Sequence, residues 1–81
     1  MNMRVRLFAR ARDLAGREAL QVEIPNGATV GELRAELSRV CPALRELLPR
    51  CAVAVNEEFA ENETHLADSF DVALIPPVSG G

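Results

Sequence analysis

The sequence stops on Ser79-Gly80-Gly81, which places an unobstructed carboxyl group at the end of a thin stretch of backbone. Glycine has no side chain to pack and the greatest backbone freedom of any residue, so this ending offers access rather than structure. A terminal carboxyl with an ordinary pKa of about 3.3–3.7 is an anion at neutral pH. It is a poor electrophile until it is activated, for instance as an acyl-adenylate. The chemistry expected is therefore acyl transfer at Gly81, with Gly80 keeping the approach clear.

The chain carries nothing that would perform that activation. It has no G-x-x-x-x-G-K-[ST] loop or other phosphate cradle, and all nine basic residues are Arg, so no lysine is present. His65 stands alone in a polar stretch and reads as a solvated surface residue, which leaves no Ser/His/Asp arrangement. Cys41 and Cys51 lack metal or redox spacing, and a single His makes no zinc set. Two buried, reduced cysteines of a cytoplasmic protein are expected. No metal and no bound cofactor are expected either: ATP would be consumed by a partner, with this chain as substrate and carrier.

Eighty-one residues, 48% of them hydrophobic, make a single globular domain with one modest core. A net charge of −3 argues against nucleic-acid binding, which needs a basic face. The charge is uneven: residues 1–17 hold five Arg against one Asp, and the remainder four Arg against eleven acids. The basic start is either a solvated face or a docking surface for an acidic partner. The opening "MNMRVRLFARARDLAG" lacks the continuous apolar stretch of a secretory leader, and no segment is long enough to span a membrane.

The elements that must present the tail follow from hydropathy periods. "MRVRLFA" alternates, with Val5, Leu7 and Ala9 on one face and Arg4, Arg6 and Phe8 on the other, as a half-buried strand does. "EALQVEI" alternates again and sets Leu20, Val22 and Ile24 inward. "RARDLAG" between them reads as a turn of about one helical turn closed by Gly16, so the two strands form a hairpin. Thr29 and Glu32 have capping-box spacing. After them Val30, Leu33, Leu37 and Val40 form a helical stripe that Pro42 ends. "ALRELL" predicts a second short helical piece ending at Pro49.

"CAVAVN" reads as a short strand, Asn56-Glu57-Glu58 as a turn, and the region around Phe59 as a minor strand or a 3₁₀ turn. "FDVALI" is the last strand, with Phe70, Val72 and Leu74 on one side and Asp71, Ala73 and Ile75 on the other. Pro76-Pro77 ends the sheet. The plan is α+β, a mixed sheet with one main helix on one face and a right-handed crossover. Residues 1–75 form the domain and residues 76–81 the tail. Its six residues reach about 20 Å when extended. Pro76 and Pro77 stiffen its base, Val78 supplies one apolar grip, and Ser79 leads into the bare glycines.

"FARARDLAG", the Thr29-capped helix, "VAVN" and above all "ALIPPVSGG" resemble the small subunit of molybdopterin synthase, the MoaD family of ubiquitin-like sulfur carriers with a β-grasp fold. The resemblance runs the length of the chain. It implies that a ubiquitin-activating-type adenylating enzyme activates Gly81, and that a sulfur donor (a cysteine desulfurase or rhodanese-like protein) then leaves a C-terminal thiocarboxylate. It further implies docking on the large synthase subunit, as a heterotetramer, and sulfur delivery to a cyclic pyranopterin precursor to build the dithiolene. In a β-grasp the first and last strands are parallel neighbours, so Phe8 and Ile75 fall together on the exposed face, where Phe59 can join them. These match the family's apolar partner patch, and Arg12 matches an arginine of its pattern.

Other classes stay open. The same ending suits a protein modifier that forms isopeptide bonds, a carrier for thiamin or tRNA thiolation, or an interaction module whose glycines are incidental.

Overall fold

A computed structural model describes residues 1–78. Its order is β1 (Asn2–Leu7), α1 (Ala9–Ala15), β2 (Ala19–Glu23), α2 (Val30–Val40), two 3₁₀ turns at Pro42–Leu44 and Leu48–Arg50, β3 (Ala52–Val55), β4 (Glu58–Ala60) and β5 (Val72–Ile75). The strands form one mixed sheet in the order β2-β1-β5-β3-β4. Among the described residues only β1 and β5 pair in parallel, at the centre of the sheet, with Val5, Arg6 and Leu7 opposite Val72, Ala73 and Leu74. This is the expected β-grasp: a helix laid across a sheet whose first and last strands are neighbours.

The core lies between α2 and one face of the sheet. Alternation in β1 buries Met3, Val5 and Leu7, and in β2 Leu20 and Val22. The helical period of α2 buries Val30, Leu33 and Leu37 against them. Thr29 caps α2 as its spacing predicts. Its hydroxyl accepts the Glu32 N–H at 3.2 Å, and a Glu32 carboxylate oxygen accepts the Thr29 N–H at 3.0 Å. Among the described residues no buried side-chain nitrogen or oxygen lacks a partner, and no helix is long and apolar enough to cross a membrane.

Several expectations are corrected. β1 stops at Leu7, and Ala9 is exposed rather than inward because the chain turns there at φ +49° to start α1. That helix has seven residues rather than a single turn, and it buries Ala11 completely. Gly16 does close it, at φ +70°, donating its N–H to the Arg12 carbonyl at 2.8 Å. Val40, at the last position of α2, has turned out of the apolar stripe and is 40% exposed. The "ALRELL" helix is absent: two 3₁₀ turns take its place, and Pro49 lies inside the second, where its missing N–H costs nothing. β5 begins at Val72, not Phe70. Of the two alternatives at Phe59 the minor strand is the one formed, as the three-residue β4.

Asn56 and Glu57 form the two-residue loop between β3 and β4, with Val55 paired to Glu58. Both have positive φ, 52° and 70°, as a type I′ hairpin requires. Asn suits the first position, but Glu at the second holds a Cβ where glycine is preferred. Glu57→Gly is expected to stabilise the fold by about 0.5–1 kcal/mol. The check is a higher denaturant midpoint with an unchanged slope.

Candidate docking site

The other face of the sheet carries the site. The registers align one outward-facing row across four strands: Arg6 of β1 opposite Ala73 of β5, Ala73 opposite Ala54 of β3, and Ala54 opposite Phe59 of β4. Two alanines in the middle of a row flanked by large side chains make a depression. Its volume is about 200 Å³, with Ala54 and Ala73 as floor and Phe8, Phe59 and Ile75 as walls. The floor residues are 7% and 4% exposed although they face away from the core. Phe59 is 76% and Phe8 40% exposed, an amount of uncovered aromatic surface that marks interaction sites.

Arg6, Glu57 and Asp71 complete the lining. Arg6 forks onto Asp71, Nε to Oδ1 at 3.0 Å and Nη2 to Oδ2 at 2.7 Å. Beside it a second hollow is lined by Arg4, Arg6, Leu7, Phe8, Arg12 and Glu18. The structure thus brings Phe8, Phe59 and Ile75 together as the sequence suggests, and puts Arg12 on the exposed side of α1, in the adjoining basic hollow rather than the apolar one.

The chain leaves the sheet from this wall. Ile75 ends β5, Pro76 is half-buried, Pro77 is exposed and Val78 is 94% exposed. The base of the tail is therefore not folded back against its own sheet. Ser79, Gly80 and Gly81, on which the acyl chemistry is expected, lie outside the described residues.

The residues that sequence reasoning missed are the floor, Ala54 and Ala73, and the rim, Arg6, Glu57 and Asp71. A signal for part of this existed: alternation already set Ala73 and Asp71 beside Ile75, and Arg6 beside Phe8. What it did not supply was the cross-strand register that joins them.

The remaining chemistry-bearing side chains stand elsewhere. His65 is exposed, and its Nδ1–H donates to the Gly27 carbonyl at 2.7 Å; it pins a loop rather than standing wholly solvated. Cys51 is buried as expected, whereas Cys41, at the C-cap of α2, is only half-buried. Burial pushes the Cys51 thiol up, only partly opposed by Arg34 and Arg50. The neutral thiol is thus the favoured form in the fold; its contribution is fully present below the ordinary thiol range and is lost as pH rises from that range through the raised value of the folded state. We expect alkylation of the native protein near pH 8 to label Cys41 first and Cys51 only after unfolding, as read by peptide mass spectrometry.

Residues 5–81 match the model of the ThiS family. The chain is 36% identical over 81 residues to the molybdopterin synthase sulfur carrier subunit of Arabidopsis thaliana, covering 100% of this chain and 84% of that protein. Its fold superposes on the crystal structure of SAMP1 from Haloferax volcanii with a TM-score of 0.87 and 31% identity, covering 100% of both chains. It is also similar to a chain of the complex of subunits 1 and 2 of the molybdopterin-converting factor from Helicobacter pylori, with a TM-score of 0.70, 32% identity and 100% coverage of both.

Proposed function

The chain belongs to the ThiS family, and from that premise we propose that it is the sulfur-carrier subunit of a molybdopterin synthase. The observation that carries the reading is the exit of residues 76–78 from β5 at the wall of an exposed apolar hollow. It occurs in a chain similar over its full length to a molybdopterin synthase sulfur carrier subunit.

In this reading the Gly81 carboxylate attacks the α-phosphate of ATP on an adenylating partner, and pyrophosphate leaves. Sulfide released by the sulfur donor then attacks the acyl carbon, AMP leaves with the bonding pair and a proton is lost, and the product is a terminal thiocarboxylate. Sulfur is softer and more nucleophilic than carboxylate oxygen, so the loaded tail attacks where the unloaded one does not. Gly80 and Gly81 bring no side chain to a buried reaction centre. The large synthase subunit receives the tail, its docking surface seating one apolar side chain in the hollow between Phe8, Phe59 and Ile75, with Arg12 at the margin. Pro76 and Pro77 stiffen the base of the tail, Val78 gives the partner one apolar grip, and Ser79 precedes the two glycines in sequence. Two deliveries to a pyranopterin precursor build a dithiolene. The chain binds no ATP itself, and we place the cycle in the cytoplasm.

A protein-modifier role is the second reading, favoured by the 34% identity over 87 residues to small archaeal modifier protein 1 of Haloferax volcanii. The two are separated by incubating the full chain with adenylating enzyme, ATP and a sulfur donor. The carrier gains the mass of a sulfur-for-oxygen exchange. Unchanged mass with competent partners overturns the carrier reading, and conjugate ladders in cell extract identify the modifier.

A further inference from the structure

The rim of the hollow carries a run of polar contacts that docking alone does not use. Asn56, the first residue of the β3–β4 loop, donates its N–H to the Asp71 carbonyl at 2.7 Å and accepts the Asp71 N–H on Oδ1 at 2.9 Å. With its backbone held on both sides, Asp71 presents its carboxylate to Arg6, which grips it through Nε and Nη2. The guanidinium carbon of Arg6 in turn lies 5.4 Å from the centroid of the Phe8 ring. The contacts therefore start at the turn that leads into Phe59 and end on Phe8, joining the two aromatic walls.

Both members of the ion pair are well exposed, with side chains 41% and 46% accessible, and such pairs add little to stability. A two-point fork does something else: it fixes the plane of a guanidinium. A fixed plane next to an aromatic ring restricts that ring through cation–π attraction. Phe8 needs such restriction. It is the last extended residue before α1, it has no side-chain capping bond, and it is 40% exposed.

We propose that Asp71 and Arg6, braced by Asn56, are positioning residues of the docking hollow, holding Phe8 as an upright wall for the incoming apolar side chain of the large synthase subunit. The identity of that partner rests on the sulfur-carrier reading; the brace itself does not.

The test has two arms on the full chain. In the first, nuclear magnetic resonance of the isolated protein follows the Arg6 Nε–H and its contacts with the Phe8 ring. Asp71→Asn is expected to remove both, and unchanged ring contacts overturn the proposal. In the second, calorimetric titration with the large subunit is run as a cycle. Asp71→Asn weakens binding by about threefold to tenfold when Phe8 is present and by less than about twofold in a Phe8→Ala background. Equal losses in both backgrounds overturn the proposal. Arg6→Lys, which keeps the charge and loses the fork, gives the same pattern and guards against a folding defect peculiar to position 71. A wild-type chain that fails to bind the large subunit overturns the carrier reading only, and the first arm still decides the brace.

Discussion

A chain lacking Gly81 is expected to fold normally and to lose sulfur loading by more than about a hundredfold. The fold is spared because the sheet ends at Ile75 and Val78 is already almost fully accessible. Deleting a terminal glycine removes no side chain, and the effect on stability is expected to stay within about 0.5 kcal/mol. Loading is lost although the shortened chain still ends in glycine, Gly80. The new carboxyl sits one residue, about 3.3 Å, short of its former reach. Displacement of a reacting atom by even about 1 Å costs on the order of a hundredfold in a positioned reaction. Thermal unfolding and intact mass after reconstitution check the two halves. Loading of the truncated chain at the full rate would show that the terminal position is not what the partner reads.

Phe59→Ala is expected to weaken association with the large subunit by about thirtyfold while moving the melting temperature by less than about 2 °C. The ring is 76% exposed in the free chain, so truncating it leaves no internal cavity. In the proposed docking the same ring is desolvated against the large subunit. Buried aromatic anchors of that kind are worth about 2 kcal/mol or more. Titration calorimetry and thermal unfolding on the same preparation separate the two quantities. A large fall in melting temperature would mean that Phe59 supports the fold, and unchanged affinity would remove it from the interface.

The parts of the fold that could be read in advance were those set by period and capping. Alternation in β1 and β2, the stripe of α2 and the Thr29–Glu32 box are local devices whose geometry follows from spacing alone. The shorter elements were harder. α1 buries only Ala11 fully, which leaves too narrow an apolar stripe to show a helical period. Two 3₁₀ turns replace a helix because the stretch between Pro42 and Pro49 is too short to sustain several helical turns. Asn56-Glu57 could be read as a turn, but Glu is an uncommon second residue for a type I′ hairpin, so the segment at Phe59 stayed open between a strand and a 3₁₀ turn.

For the site, the resemblance and the strand faces together pointed to Phe8, Phe59 and Ile75. The floor at Ala54 and Ala73 depends on the register between β5 and β3, and so does not follow from either strand by itself. Arg6 meets Asp71 across 65 positions of sequence, beyond the reach of any local pattern.

The parallel pairing of β1 with β5 also bears on the order of events during synthesis. Because β5 lies between β1 and β3, a nascent chain lacks the middle of its sheet until residue 75 has left the ribosome. Long-range pairings of this type are among the last to form, and the early hairpin must wait with one edge bare. A chain whose translation halts before β5 is made therefore lacks the central strand and, with it, Ala73 of the floor and Ile75 of the wall of the hollow.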